Sequence, residues 1–177
     1  ASDPEGNQSV MISAEGSVAF LQLNIDTEFD AGNIILPVQT IPLSGPLVIG
    51  SERLEEGFEQ TTEASATVQA KVPPSPLATP IPVTVRLFSR VLRFGDEVQL
   101  EDDAQTLVGK TLVLRYEMDL IFQVAGQDVP VFFRPGSGIF TFQRRIGMVQ
   151  LQEFTDQRTP GEIFILRSAQ MGDRSFP

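Results

Sequence analysis

Two residue types are missing from the 177-residue chain: it has no cysteine and no histidine. Without cysteine no disulfide can hold the fold together. Without either residue, zinc, copper, haem and iron–sulfur sites lose their usual ligands. Ser–His–Asp and Cys–His nucleophile systems are excluded. Only carboxylate, lysine, tyrosine or hydroxyl chemistry remains, so catalysis is not expected. Tryptophan is also absent and tyrosine occurs once, at Tyr116, which removes most of the ring platforms on which sugars stack. No apolar run approaches the roughly 20 residues that a membrane-crossing helix needs. Short apolar runs such as Val131–Phe133 suit a buried sheet.

Bases are scarce in one part of the chain. Residues 1–70 hold eleven acids against Arg53 alone, whereas residues 71–177 hold twelve of each, so the net charge of −10 lies in the first part. Nucleic-acid binding is not expected, because phosphates require a basic face. An acidic part and a balanced, arginine-bearing part can associate head to tail; the same pattern also describes a solvated acidic surface. The chain begins at Ala1 with no charged-then-apolar leader. Together with the missing cysteine, this leads to the expectation of an exported protein, secreted or at the cell surface.

What the chain has in quantity is period-two patterning. Leu112, Leu114, Tyr116, Met118, Leu120, Phe122 and Val124 occupy every second position, an alternation that a helix would scatter round its circumference. At about 3.3 Å per residue, Thr111–Ala125 would span on the order of 50 Å, so a bend or bulge is expected. Val10–Ile12, Val18–Ile25, Asn33–Gln39, Leu47–Ile49 and Ala64–Val72 also read as strands, with Pro42, Gly45 and Pro46 as punctuation. Glu52–Glu63 reads as an acidic loop or single helical turn. Val83–Phe94 is open: Val83, Thr84 and Val85 favour a strand, whereas Arg86, Arg90 and Arg93 would share a helical face. Gly126-Gln127-Asp128 and Pro135-Gly136-Ser137-Gly138 read as turns, followed by strands at Ile139–Ile146, Met148–Phe154 and Glu162–Ser168. Five prolines within Pro73–Pro82 impose an extended, semi-rigid segment.

The expected fold is all-β: an antiparallel two-sheet β-sandwich, jelly-roll-like, with a closed β-barrel as the second choice. Residues 1–177 form one domain, with an extended arm over about residues 1–9 and a crossover loop between sheets at 73–82.

Asp26, Glu28 and Asp30 stand two apart, followed by Gly32 and Asn33. Alternating oxygen ligands before a glycine can hold a hard cation such as Ca²⁺, although the EF-hand spacing fails at Ala31 and Pro37. A solvent-exposed strand end explains the same residues. Glu101-Asp102-Asp103 is a second acidic run that also reads as a turn. Gly136-Ser137-Gly138 has no histidine to serve as its base.

Thirteen phenylalanines are present. Phe132, Phe133, Phe140 and Phe142 cluster on neighbouring expected strands, as core, as an apolar-ligand pocket, or as a groove for a partner's strand. Arg144 and Arg145, with Arg134 and Arg115, could face the acidic part of a neighbouring copy or lie on an ordinary surface.

Phe29-Asp30-Ala31-Gly32-Asn33-Ile34-Ile35-Leu36 resembles the phenylalanine–x–alanine–glycine stretch near the mature N-terminus of biofilm-matrix fibre proteins of the TasA/camelysin type. The resemblance covers those eight residues and implies a secreted β-sandwich that polymerises by donating an N-terminal strand.

The expected function is a non-catalytic subunit of an extracellular fibre, coat or surface layer, a homo-oligomer or polymer in which Val10–Ile25 adds a strand to a neighbour. Val10, Ile12, Val18, Phe20, Arg144 and Arg145 are the candidate assembly residues. The alternative is a monomeric barrel or sandwich binding an apolar or peptide ligand. No cofactor is expected beyond the candidate calcium ion.

Overall fold

The computed structural model describes residues 11–14, 17–25, 27–50, 55–99, 106–124, 126–143, 147–154, 160–165, 169–171 and 174–176. Its elements are β1 (Met11–Ala14), β2 (Ser17–Ile25), β3 (Phe29–Asp30), β4 (Ile35–Leu36), β5 (Gln39–Gly50), β6 (Glu59–Lys71), β7 (Ala78–Gln99), β8 (Thr106–Val124), β9 (Gln127–Gln143), β10 (Gly147–Phe154), β11 (Pro160–Ile165), β12 (Ala169–Met171) and β13 (Arg174–Phe176). No helix occurs among the described residues. Eleven strands share one antiparallel sheet whose main path runs β1-β2-β5-β6-β7-β8-β9-β10-β11, with β3 and β4 attached beside β6. The sheet curls into a half-barrel.

β8 keeps its alternation. Leu114, Tyr116, Met118, Leu120 and Phe122 are buried, whereas Arg115, Glu117 and Asp119 between them are half-exposed; Val113 and Ile121, on the face of those charges, are buried as well. Buried Val83, Val85 and Leu87 of β7 stand beside Phe122, Leu120 and Met118. Val83–Phe94 is therefore strand throughout: its arginines fall on the face opposite this core. There Arg86 pairs with Glu63 at 2.6 Å and Arg90 with Glu59 at 3.5 Å, each directly across the ladder. The same partners explain why the acidic run becomes strand from Glu59 rather than remaining a loop. Glu59 and Glu63 face solvent and two cations, while Ala64, Val68 and Ala70 enter the core.

The expected crossover at the prolines is a hairpin instead. β6 and β7 are direct antiparallel neighbours from Lys71↔Ala78 to Glu59↔Arg90, and residues 72–77 join them within one sheet. Ser75 N donates to Val72 O at 3.0 Å and closes the turn. Pro80 and Pro82 lie inside β7, opposite Gln69 and Thr67. A proline has no N–H to give to a ladder, yet neither residue ends the strand.

Two other punctuation signals also lie within strands. Pro42-Leu43-Ser44-Gly45-Pro46 sits inside β5, where the register with β2 slips between Gln22↔Pro42 and Phe20↔Leu47. Leu43 leaves that bulge to make the recorded backbone bridge to β6, with Ala66. Pro135–Gly138 is not a turn: β9 continues through it, and its register with β8 shifts between Glu117↔Ser137 and Asp119↔Phe132. A bulge accommodates extra residues while the strand continues. Gly126, at φ 79°, does make the tight β8–β9 connection.

The core gathers Phe20, Leu23 and Ile25 of β2, Ile41, Leu47 and Ile49 of β5, and the inward residues of β6–β9. Phe20 spans it: its ring centroid lies 6.1 Å from that of Tyr116 and 6.0 Å from that of Phe140. Tyr116 and Phe140 stack at 4.6 Å.

Candidate functional site

The half-barrel leaves its end strands as the places where backbone can meet another chain. Among the described residues, β1 pairs with β2 alone and β11 with β10 alone. No backbone bridge joins β1 to β11 among them. An edge strand carries a row of N–H and C=O groups able to template further pairing. The two edges differ in sequence, Met-Ile-Ser-Ala against Pro-Gly-Glu-Ile-Phe-Ile.

The expected assembly residues divide between edge and interior. Ile12 lies on β1 opposite Ala19. Val18 and Phe20 lie on β2, which β1 flanks on one side and β5 on the other. Phe20 is buried at 5 % exposure and Val18 packs against the core. Among the described residues, the segment Val10–Ile25 is thus used largely inside its own chain: β2 completes the core, and β1 is the end strand of the sheet. Val10, Arg144 and Arg145 lie outside the described residues. Arg115 is engaged internally, with Glu117 at 2.6 Å and over the Phe154 ring at 5.7 Å. Nothing in the sequence marked which of the two alternating N-terminal segments would be outermost.

Of the candidate calcium ligands, Glu28 contacts Lys71 Nζ at 2.7 Å. The Asp30 Oδ1 accepts from Gly32 N at 2.7 Å, closing the turn between β3 and β4 with Gly32 at φ 85°. Asp26 lies outside the described residues, as does Glu101-Asp102-Asp103. No group of three or more carboxylates placed to hold a metal occurs among the described residues.

In the phenylalanine cluster, the side chains of Phe132 and Phe133 lie outside the described ones. Phe140 belongs to the core and Phe142 packs against it. Exposed apolar side chains instead gather towards one end of the strands. Val72 and Leu77 flank the β6–β7 connection, Val38 precedes β5, and Val129 follows the β8–β9 connection; Leu77 is 72 % exposed. The alternation of the sequence does not distinguish these strand-end positions from the core.

Surroundings shift the titration of two side chains among the described residues. Burial pushes the Tyr116 phenol well above its ordinary range, and the charge of Glu153 adds to the effect. A phenol so placed stays protonated and cannot act as a base near neutral pH. Arg86 is raised by its hydrogen bond to Glu63. Ser137 Oγ is buried opposite Glu117 and makes no hydrogen bond.

Comparison of the chain with protein-family models, curated proteins and solved structures finds no match. No helix among the described residues is long and apolar enough to cross a membrane.

Proposed function

We propose that this protein is a non-catalytic structural subunit of an extracellular fibre, coat or surface layer, joined to its neighbours by β-strand addition. The observation that carries the proposal is the open antiparallel path, which starts at β1 and ends at β11 with no bridge between them among the described residues. Main-chain hydrogen bonds across such an edge supply affinity, and alternate side chains supply register. A chain without histidine or cysteine, whose one phenol is held protonated by burial, supports adhesion over catalysis. The lack of any thiol suits an oxidising exterior.

The architecture we favour is a sandwich. Phe20 reaches across the core to Tyr116 and Phe140, and β5 joins β6 through the Leu43–Ala66 bridge beside the bulge, as at a folded corner between two layers.

Sedimentation velocity and negative-stain imaging over rising concentration test the function. Concentration-dependent oligomers or filaments are expected; a protein that stays monomeric throughout overturns the reading. Removing residues 1–25 is not a usable test, because it also deletes Phe20, Leu23 and Ile25 from the core. The second reading, a monomeric domain binding an apolar ligand, draws on Val38, Val72, Leu77 and Val129. It predicts that Leu77→Lys abolishes uptake of an apolar fluorescent probe while leaving mass unchanged.

A further inference from the structure

We infer that residues 11–50, which carry β1–β5, are an exchangeable unit: the same unit of a second copy takes their place over β6–β9, so that copies interlock through the core. This rests on the reading above only in that copies associate, and it names an interior surface rather than the outer edges.

The bonding of the sheet selects this unit. Long backbone ladders tie β6 to β7, β7 to β8, β8 to β9 and β9 to β10. Ladders also tie β2 to β1 and to β5. Between the two sets, the backbone bridges among the described residues are Leu43↔Ala66 and Ile35↔Lys71. The other polar ties across this seam use side chains: Gln39 with Gln69 N and O, Ser44 Oγ with Ser65 N, Gln60 and Thr62 with Val48 O, and Lys71 with Glu28. All but the pair on Val48 O are exposed, so water can replace them as they break. Such a seam opens at lower cost than the ladders on either side of it.

Once open, it cannot stay uncovered. Phe20, Leu23, Ile25, Ile41, Leu47 and Ile49 of the unit share one buried core with the inward residues of β6–β9. Phe20 alone reaches both Tyr116 and Phe140. Parting the two faces returns that apolar area to water. A second copy carries the matching face residue for residue, so an exchanged unit restores each of these contacts. The closed and exchanged arrangements then differ in the link and in their dependence on protein concentration. The link is short: four residues separate Gly50 from Glu55. Just beyond it the chain already belongs to the other set, with Gly57 N donating to Val91 O at 2.8 Å and Val91 N to Phe58 O at 2.9 Å. A short link between two packed parts is the setting in which exchange competes with closure. Reciprocal exchange gives a dimer, and exchange passed from copy to copy gives an open chain.

Cysteines placed across the seam of the full chain test this, as the protein has none of its own. Leu43→Cys with Ala66→Cys marks the β5–β6 bridge, and Ile35→Cys with Lys71→Cys marks the β4–β6 bridge. The pair whose monomer oxidises fully and keeps the wild-type circular-dichroism spectrum is used. Reduced protein at high concentration is separated by gel filtration, and each fraction is oxidised and run on a denaturing gel without reductant. The monomer fraction should run as one chain, its two cysteines having met within it. The assembled fraction should run at twice that mass or as a ladder of multiples, and collapse to one chain on reduction. An assembled fraction that runs as single chains with its thiols consumed overturns the exchange and leaves strand addition at the outer edges standing. The same ladder from either single-cysteine variant also overturns it. Wild type that never associates overturns both readings.

Discussion

Gln39 stands in for a strand residue beside Gln69: its Oε1 accepts from Gln69 N at 2.7 Å and its Nε2 donates to Gln69 O at 2.8 Å. β5 and β6 share a backbone bridge at Leu43–Ala66, and Gln39 ties the seam at one end of it. Further along the seam Ser65 N donates to Ser44 Oγ at 2.9 Å, and Gln60 Nε2 and Thr62 Oγ1 donate to Val48 O. Side chains thus occupy backbone groups that would otherwise lie open where the sheet turns.

Gln39→Ala should remove both hydrogen bonds to Gln69, together with the one from Nε2 to Pro37 O, and lower stability by about 1 kcal/mol, a modest figure because the pair with Gln69 is exposed and water can replace it. Gln39→Glu retains the acceptor and loses the donor, placing a carboxylate beside Gln69 O, and should cost at least as much. Urea unfolding of the three proteins checks the order; equal midpoints would show that the seam does not depend on Gln39.

Gly138 and Gly50 should respond to alanine with losses of different size. A Cβ at Gly138 would collide with the backbone carbonyl oxygen of Gln152 and stand 3.2 Å from Tyr116 Cε1, so β9 and β10 must move apart. At Gly50 it would meet Leu114 Cδ1 at 2.9 Å, the far end of a side chain that can rotate. Gly138→Ala should cost about 3 kcal/mol or more and Gly50→Ala about 1 kcal/mol. Thermal unfolding of both variants decides it, and similar losses would contradict the close β9–β10 packing.

Tyr116 gives the molecule an alkaline limit. Its folded pKa is raised above the unfolded value near 10 by burial, so unfolded chains release the phenolic proton first as pH rises. The stabilisation is complete below about pH 10 and is lost above it. As the chain has one tyrosine and no tryptophan, phenolate absorbance reports Tyr116 alone. It should appear together with loss of the circular-dichroism signal, and Tyr116→Phe should flatten the alkaline fall in stability. Phenolate forming in a folded protein near pH 10 would contradict the burial.

Metal removal should leave stability unchanged, because Glu28 is engaged with Lys71 and Asp30 with Gly32 N. EDTA should therefore not shift the melting temperature. A fall that calcium restores would show that Asp26, Glu28 and Asp30 regroup around an ion.

The alternation from Leu112 to Phe122 determined by itself that β8 is a strand and which of its faces turns to the core, because side-chain direction along a strand depends only on position parity. The same parity did not identify the functional edges. Val18–Ile25 reads equally well as an outer strand to donate and as an inner strand, and only packing of Phe20 on Tyr116 and Phe140 puts it inside. Proline and glycine marked where hydrogen-bonding capacity changes at Pro42–Pro46, Pro73–Pro82 and Pro135–Gly138. Whether each became a bulge, a hairpin or a continued strand was decided by tertiary pairing, since a missing N–H matters only when a neighbour would have received it. Which strands end up outermost is likewise a property of the assembled sheet, as no residue carries a local record of how many partners its strand will find.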